Sequence, residues 1–115
     1  MKTAEIIEST FTQKEVEVIK ATIRHGFWGD AKETMANGEN KYGNGYFTED
    51  AKRGLPQYTA RQIAGIFSGI AKKIKENGFD FMTHIPDYWG EGKTSDGMLF
   101  VSEDVYREIE IWANY

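Results

Sequence analysis

The stretch "YTARQIAGIFSGIAKKIKENGF", residues 58–79, constrains the fold more than any other part of the chain. Taking Ile63 as the reference direction and advancing about 100° per residue, Ile66, Phe67, Ile70 and Ile74 fall within about 60° of it. That stripe predicts an amphipathic helix with an apolar core face. Arg61, Gly65, Ser68, Gly69 and Lys72 fall on the opposite side, between about 140° and 240°, with Gln62 and Lys73 flanking them. Thr59 is placed to cap the start, and Asn77-Gly78 to stop the helix after a Lys-rich last turn. Each mid-helix glycine costs about 1 kcal/mol relative to Ala. Two on one face ask for a reason.

The flanking segments supply the rest of an α+β pattern. Thr12-Gln13-Lys14-Glu15 is a capping-box sequence, with Phe11 before the cap and Val16 at the fourth helical position as a hydrophobic staple. A first helix is predicted from Thr12 to Arg24 or His25, stopped by Gly26. Residues 2–9 are expected to form a short turn or to fray. Residues 26–46, "GFWGDAKETMANGENKYGNGY", hold five of the twelve glycines and read as an insertion. Within it "DAKETMAN" suggests two helical turns closed by Gly38, and "GENKYGNGY" a loop. Thr48 is expected to cap a short helix ended by Gly54 and Pro56, and "LPQYT" to turn into the long helix.

Downstream, Phe79, Phe81, Thr83 and Ile85 alternate as one face of a strand, and a second strand is expected at Met98–Ser102. Between them residues 86–97, "PDYWGEGKTSDG", form a long polar tip carrying Tyr88, Trp89 and Lys93. Ser102 then caps a last helix with Glu103 and Asp104 in its first turn and Val105, Ile109 and Trp112 along one stripe. That stripe is expected to close the core rather than to form an interface.

Length and composition bound the class. The 115 residues predict a single domain over 1–115, with 40% hydrophobic residues for one core. There is no cysteine, so no disulfide frame and no thiolate chemistry, which fits a cytoplasmic location. "MKTAEIIESTFTQKE" lacks the apolar run of a signal peptide, and no apolar stretch approaches the ~20 residues of a membrane span. The net charge of −4 hides a segregation. Residues 47–78 carry six basic against three acidic side chains, whereas residues 79–115 carry two against eight. A local basic face therefore survives inside an acidic protein.

A short helix, a tight turn, a long helix and a hairpin together make a winged helix-turn-helix order. The long helix resembles the third helix of winged helix-turn-helix domains. More narrowly it is similar to that of small phage- or prophage-encoded proteins of this fold. The positions that carry the resemblance are Thr59, Arg61, Ile63, Gly65, Ile66, Ser68, Ile70, Lys72, Lys73 and Gly78. "FTQKEVEVIKATI" resembles the usual first helix of such domains. The resemblance covers some 45 residues in two blocks. It implies a small regulatory protein that binds duplex DNA, as monomer or homodimer. The insertion at 26–46 and the acidic last third depart from a plain DNA-binding member.

The chemistry-bearing residues argue against an enzyme. His25 and His84 lie far apart without ligand spacing, and His25 suits a helix C-terminus. Asp30, Glu33 and Glu39 lack an EF-hand register. No nucleophile elbow, phosphate loop or dinucleotide fingerprint occurs, and no cofactor or metal is implied. The Gly65-x-x-x-Gly69 spacing is not a membrane dimer motif, because Arg61, Gln62, Lys72 and Lys73 surround it.

Three readings of the glycine face stay open. In the first, Arg61, Gln62, Gly65, Ser68 and Gly69 approach base edges in a major groove, while Lys72, Lys73, Lys75 and Lys93 meet phosphate. In the second, Tyr88 and Trp89 anchor a host protein, and the domain modulates a host complex without touching DNA. In the third, the glycines serve packing alone.

Overall fold

The computed structural model describes residues 2–26, 28–36, 38–44, 47–79, 82–86 and 97–114. The described residues make an α+β fold with five helices and a small antiparallel sheet. In chain order these are α1 (Lys2–Thr10), α2 (Gln13–His25), β1 (Trp28–Thr34), β2 (Asn40–Asn44), α3 (Phe47–Gly54), α4 (Ala60–Asn77), β3 (Met82–Pro86), β4 (Gly97–Ser102) and α5 (Glu103–Ala113).

Capping chemistry places the helices where the sequence asks. The Thr12 hydroxyl accepts the Glu15 N–H at 3.2 Å, and the Glu15 carboxylate accepts the Thr12 N–H at 2.8 Å. Thr59 and Gln62 repeat the arrangement at the start of α4, at 3.1 and 2.7 Å. Each box satisfies two N–H groups that a helix start would otherwise leave orphaned. Gly78 ends α4 in the left-handed region at φ 59°, as the Asn-Gly pair predicts. The buried Ser102 hydroxyl caps α5.

α2 is the helix around which the others gather: α1, α3, α4 and α5 all pack on it. Its Val18, Ile19, Ala21 and Ile23 meet Ile63, Phe67, Ile70 and Ile74 of α4, Ala51 of α3, and Ile109, Trp112 and Ala113 of α5 in one core. The α5 stripe thus closes the core, as expected. Burying one such aliphatic or aromatic side chain contributes about 1.5–3 kcal/mol, so this cluster carries most of the hydrophobic stabilisation.

Some local expectations are corrected. Residues 2–9 do not fray: Ala4 and Ile7 of α1 are buried, the Thr3 N–H and hydroxyl donate to Glu108, and the Trp112 indole donates to Glu8 at 2.8 Å. The stretch expected as two helical turns plus a loop is instead the β1–β2 hairpin. In β3, Met82 is fully buried in the core. At α3 the helix begins at Phe47, one residue before the cap expected at Thr48.

The sheet order is β1-β2-β4-β3, every pair antiparallel. The hairpin expected between β3 and β4 is present, with Met82↔Val101 through Pro86↔Gly97 in register. β2 adds to β4 through Lys41↔Ser102, Tyr42↔Val101 and Gly43↔Phe100. Side chains alternate across a strand, so Leu99 and Val101 enter the helix-side core while Phe100 points to the other face. Phe100 is nonetheless fully buried, and its ring lies on Gly43. A Cβ on residue 43 would sit 2.5 Å from that ring, so the strand needs glycine there. β1 is an edge strand whose register shifts between Asp30 and Thr34. There Lys32 adopts φ 58°, with its N–H donating to the Asp30 carboxylate at 2.8 Å.

Trp28, Tyr42 and Tyr106 form a half-buried aromatic cluster, with ring centroids 4.8–6.3 Å apart, that ties the hairpin to α5. The tip residues 87–96, including Tyr88, Trp89 and Lys93, lie outside the described residues.

Candidate nucleic-acid interface

The four buried residues of α4 fix which way the helix faces. Ile63, Phe67, Ile70 and Ile74 point inward, so Arg61, Gly65, Ser68 and Lys72 are left exposed on the outer side. Spaced by four, three and four residues, they form one line along the helix, about 16 Å long at 1.5 Å per residue. Lys75 is exposed on the same side. The line has a cation near each end and two small residues between.

The glycines in this helix have different surroundings. A Cβ on Gly65 would meet nothing within 4 Å. Among the described residues no neighbour demands glycine there. A Cβ on Gly69 would lie 2.5 Å from Oε2 of Glu15 on α2. Gly69 therefore has a packing duty, and the half-buried residue belongs to the α2–α4 contact rather than to the open face.

Lys73 is drawn into the same contact. Its ammonium donates to Oε1 of Glu15, the oxygen that also accepts the Thr12 N–H. The Lys73 side chain keeps 29% of its exposure and Glu15 only 9%. Burial alone would push the Glu15 carboxyl up, but the hydrogen bonds from Lys73 and Thr12 and the Lys73 charge outweigh it and hold it below the ordinary value.

The remaining candidates carry lighter commitments. The Gln62 side-chain oxygen is engaged by the Thr59 N–H, so reading an adenine with both amide atoms requires the cap to open. The Ser68 hydroxyl donates to the Ala64 carbonyl at 3.2 Å. Lys72 reaches Glu76 at 3.9 Å with both side chains exposed, a pairing of small value that is readily exchanged. Sequence reasoning left one neighbour out of the site. Lys52 of α3, also exposed, reaches the Tyr58 carbonyl at 3.3 Å and so stands beside the start of α4. It lies in the basic segment 47–78, and the turn at 55–59 brings it beside the start of α4.

Two acidic side chains of the 26–46 segment are engaged locally. Asp30 accepts the Lys32 N–H, and Glu33 pairs with Lys41 at 3.5 Å. Among the described residues no three acidic or imidazole groups cluster to hold a metal, and no helix is long and apolar enough to cross a membrane. His25 is exposed at the end of α2, its ring against Gly54. Comparison with protein-family models, curated proteins and solved structures finds no match.

Proposed function

We propose that this chain is a winged helix-turn-helix domain of the small phage-like kind, and that it binds duplex DNA through the exposed line of α4. The element order supports the fold reading. α2 is followed by strands, by α3, a turn at 55–59 and α4, and then by two paired strands. β2, β4 and β3 lie in that order, so the strand before α3 pairs with the last strand. The β1 strand is then an addition at the sheet edge.

One observation carries the ligand reading. Gly65 is exposed, flanked along the helix by Arg61 and Lys72, and has no neighbour among the described residues that glycine would serve. A missing side chain at the middle of a cationic helix face lets the backbone approach base edges, while the cations at its ends reach phosphate. The reading is one of regulation by binding, with no catalytic step.

The test is fluorescence anisotropy with a mixed-sequence 20-base-pair duplex at low salt. Arg61→Ala and Lys72→Ala weaken binding, and each flattens the dependence of log affinity on log salt by about 0.9. No anisotropy change with the wild-type chain at 50 mM salt refutes the proposal. A second reading, capture of a host protein, is favoured by the net charge of −4 and by Ile111, a large apolar side chain 57% exposed on α5. Under it Ile111→Glu abolishes capture and leaves duplex binding absent throughout.

A further inference from the structure

α4 carries three lysines in its last turns, and the fold treats one of them differently. Lys72 and Lys75 are exposed, while Lys73 is held against the buried Glu15. Every atom of that carboxylate is accounted for. Oε1 takes the Thr12 N–H and the Lys73 ammonium, and Oε2 lies over Gly69. A side chain on residue 69 would displace it, so the glycine and the ion pair form one device joining the start of α2 to the second half of α4.

We propose that Glu15 withdraws Lys73 from the ligand-contacting face, so that Arg61, Lys72 and Lys75 meet phosphate and Lys73 does not. This rests on the nucleic-acid reading of α4 and sharpens it. If Lys73 turned to a phosphate, a nearly buried carboxylate would lose its cationic partner. Breaking a buried pair leaves an uncompensated charge, whereas a phosphate contact at an exposed surface returns little. Glu15 thereby sets where the footprint ends. Lys73 acts as a positioning residue, orienting α4 on α2, although composition places it among the phosphate contacts.

Four proteins test the proposal: wild type, Lys73→Met, Glu15→Gln, and the two changes together. Glutamine serves in a capping box as glutamate does, so Glu15→Gln keeps the α2 cap and releases the lysine. The readout is the slope of log affinity for the 20-base-pair duplex against log salt between 50 and 200 mM. Lys73→Met leaves the slope unchanged. Glu15→Gln steepens it by about 0.9, a further loss of affinity of about 3.5-fold across that range, and the double change restores the wild-type slope. A merely structural role for Glu15 does not produce that pattern. A flattened slope in Lys73→Met, matching that of Lys72→Met, overturns the proposal alone. Absence of duplex binding in all four overturns the nucleic-acid reading and the proposal with it. Rapid solvent exchange of the Lys73 ammonium protons in wild-type NMR spectra also overturns it. If Lys73→Met does not fold, Lys73→Gln takes its place in the cycle.

Discussion

The Glu15 carboxylate occupies the space that a side chain on residue 69 would need. Two glycines one turn apart in the same helix therefore have unrelated causes. Gly69 lies against a side chain 54 positions earlier in the chain, and Gly65 against no other described residue.

That contrast is directly measurable. Gly65→Ala is expected to stabilise the protein by about 0.5–1 kcal/mol, because the helix gains propensity and the new methyl meets nothing. Gly69→Ala is expected to be at least about 1 kcal/mol less stable than Gly65→Ala, since the methyl displaces Glu15 from its pair. Urea unfolding of both variants gives the comparison. Equal stability of the two would remove the packing role assigned to Gly69.

Acid should act on the same site. Folded Glu15 holds its proton less readily than the unfolded chain does, since its carboxyl lies below the ordinary value. Its contribution is fully present above the unfolded value of 4.5 and is lost as pH falls below that and through the lower folded value. Stability measured from pH 6 to pH 3 should therefore fall less steeply in Glu15→Gln than in wild type. Parallel curves would show that Glu15 does not couple to folding.

On the far face of the sheet, Gly43→Ala should destabilise by about 1–3 kcal/mol. The added methyl meets the Phe100 ring at 2.5 and 2.7 Å and the Leu99 carbonyl at 3.2 Å, and a fully buried ring has little room to shift. Pairing with Phe100→Leu should recover part of the loss, which a double-mutant cycle reads as coupling.

Trp112→Phe removes the indole N–H that binds Glu8 and weakens the face on which Lys20 lies 4.8 Å from the ring centroid. The expected cost is about 1–3 kcal/mol. Amide exchange should rise in α1 before it rises in α4, because the lost hydrogen bond is one that ties α1 to α5. Uniform acceleration would place Trp112 in a single cooperative unit with the whole core.

Much of the helical part was legible in the sequence because its signals are local. Thr12, Thr59 and Ser102 cap what they are placed to cap, and the Ile63–Ile74 stripe is buried. The β1–β2 hairpin was not legible. "WGDAKET" has neither strict alternation nor a β-branched run, and the hairpin joins the sheet through β2, whose other partner β4 lies more than fifty residues away. Helical projection placed Gly69 at the margin of the open face. Which margin α2 covers depends on how two helices cross, and no single helix encodes that. The same limit explains Lys73, a surface lysine by composition and a buried carboxylate's partner in the fold.

The kink in β1 has a consequence for how these molecules behave in a crowd. An outermost strand offers its spare N–H and C=O groups to any passing chain, and a regular one serves as a seed for continued growth of the sheet. Here the ladder breaks between Asp30 and Thr34, where Lys32 turns to φ 58°, and the flanking Asp30, Lys32 and Glu33 are exposed. A second molecule finds too few consecutive partners to dock in register. The same irregularity that hid this strand from sequence reasoning therefore leaves that side of the sheet a poor template for accretion.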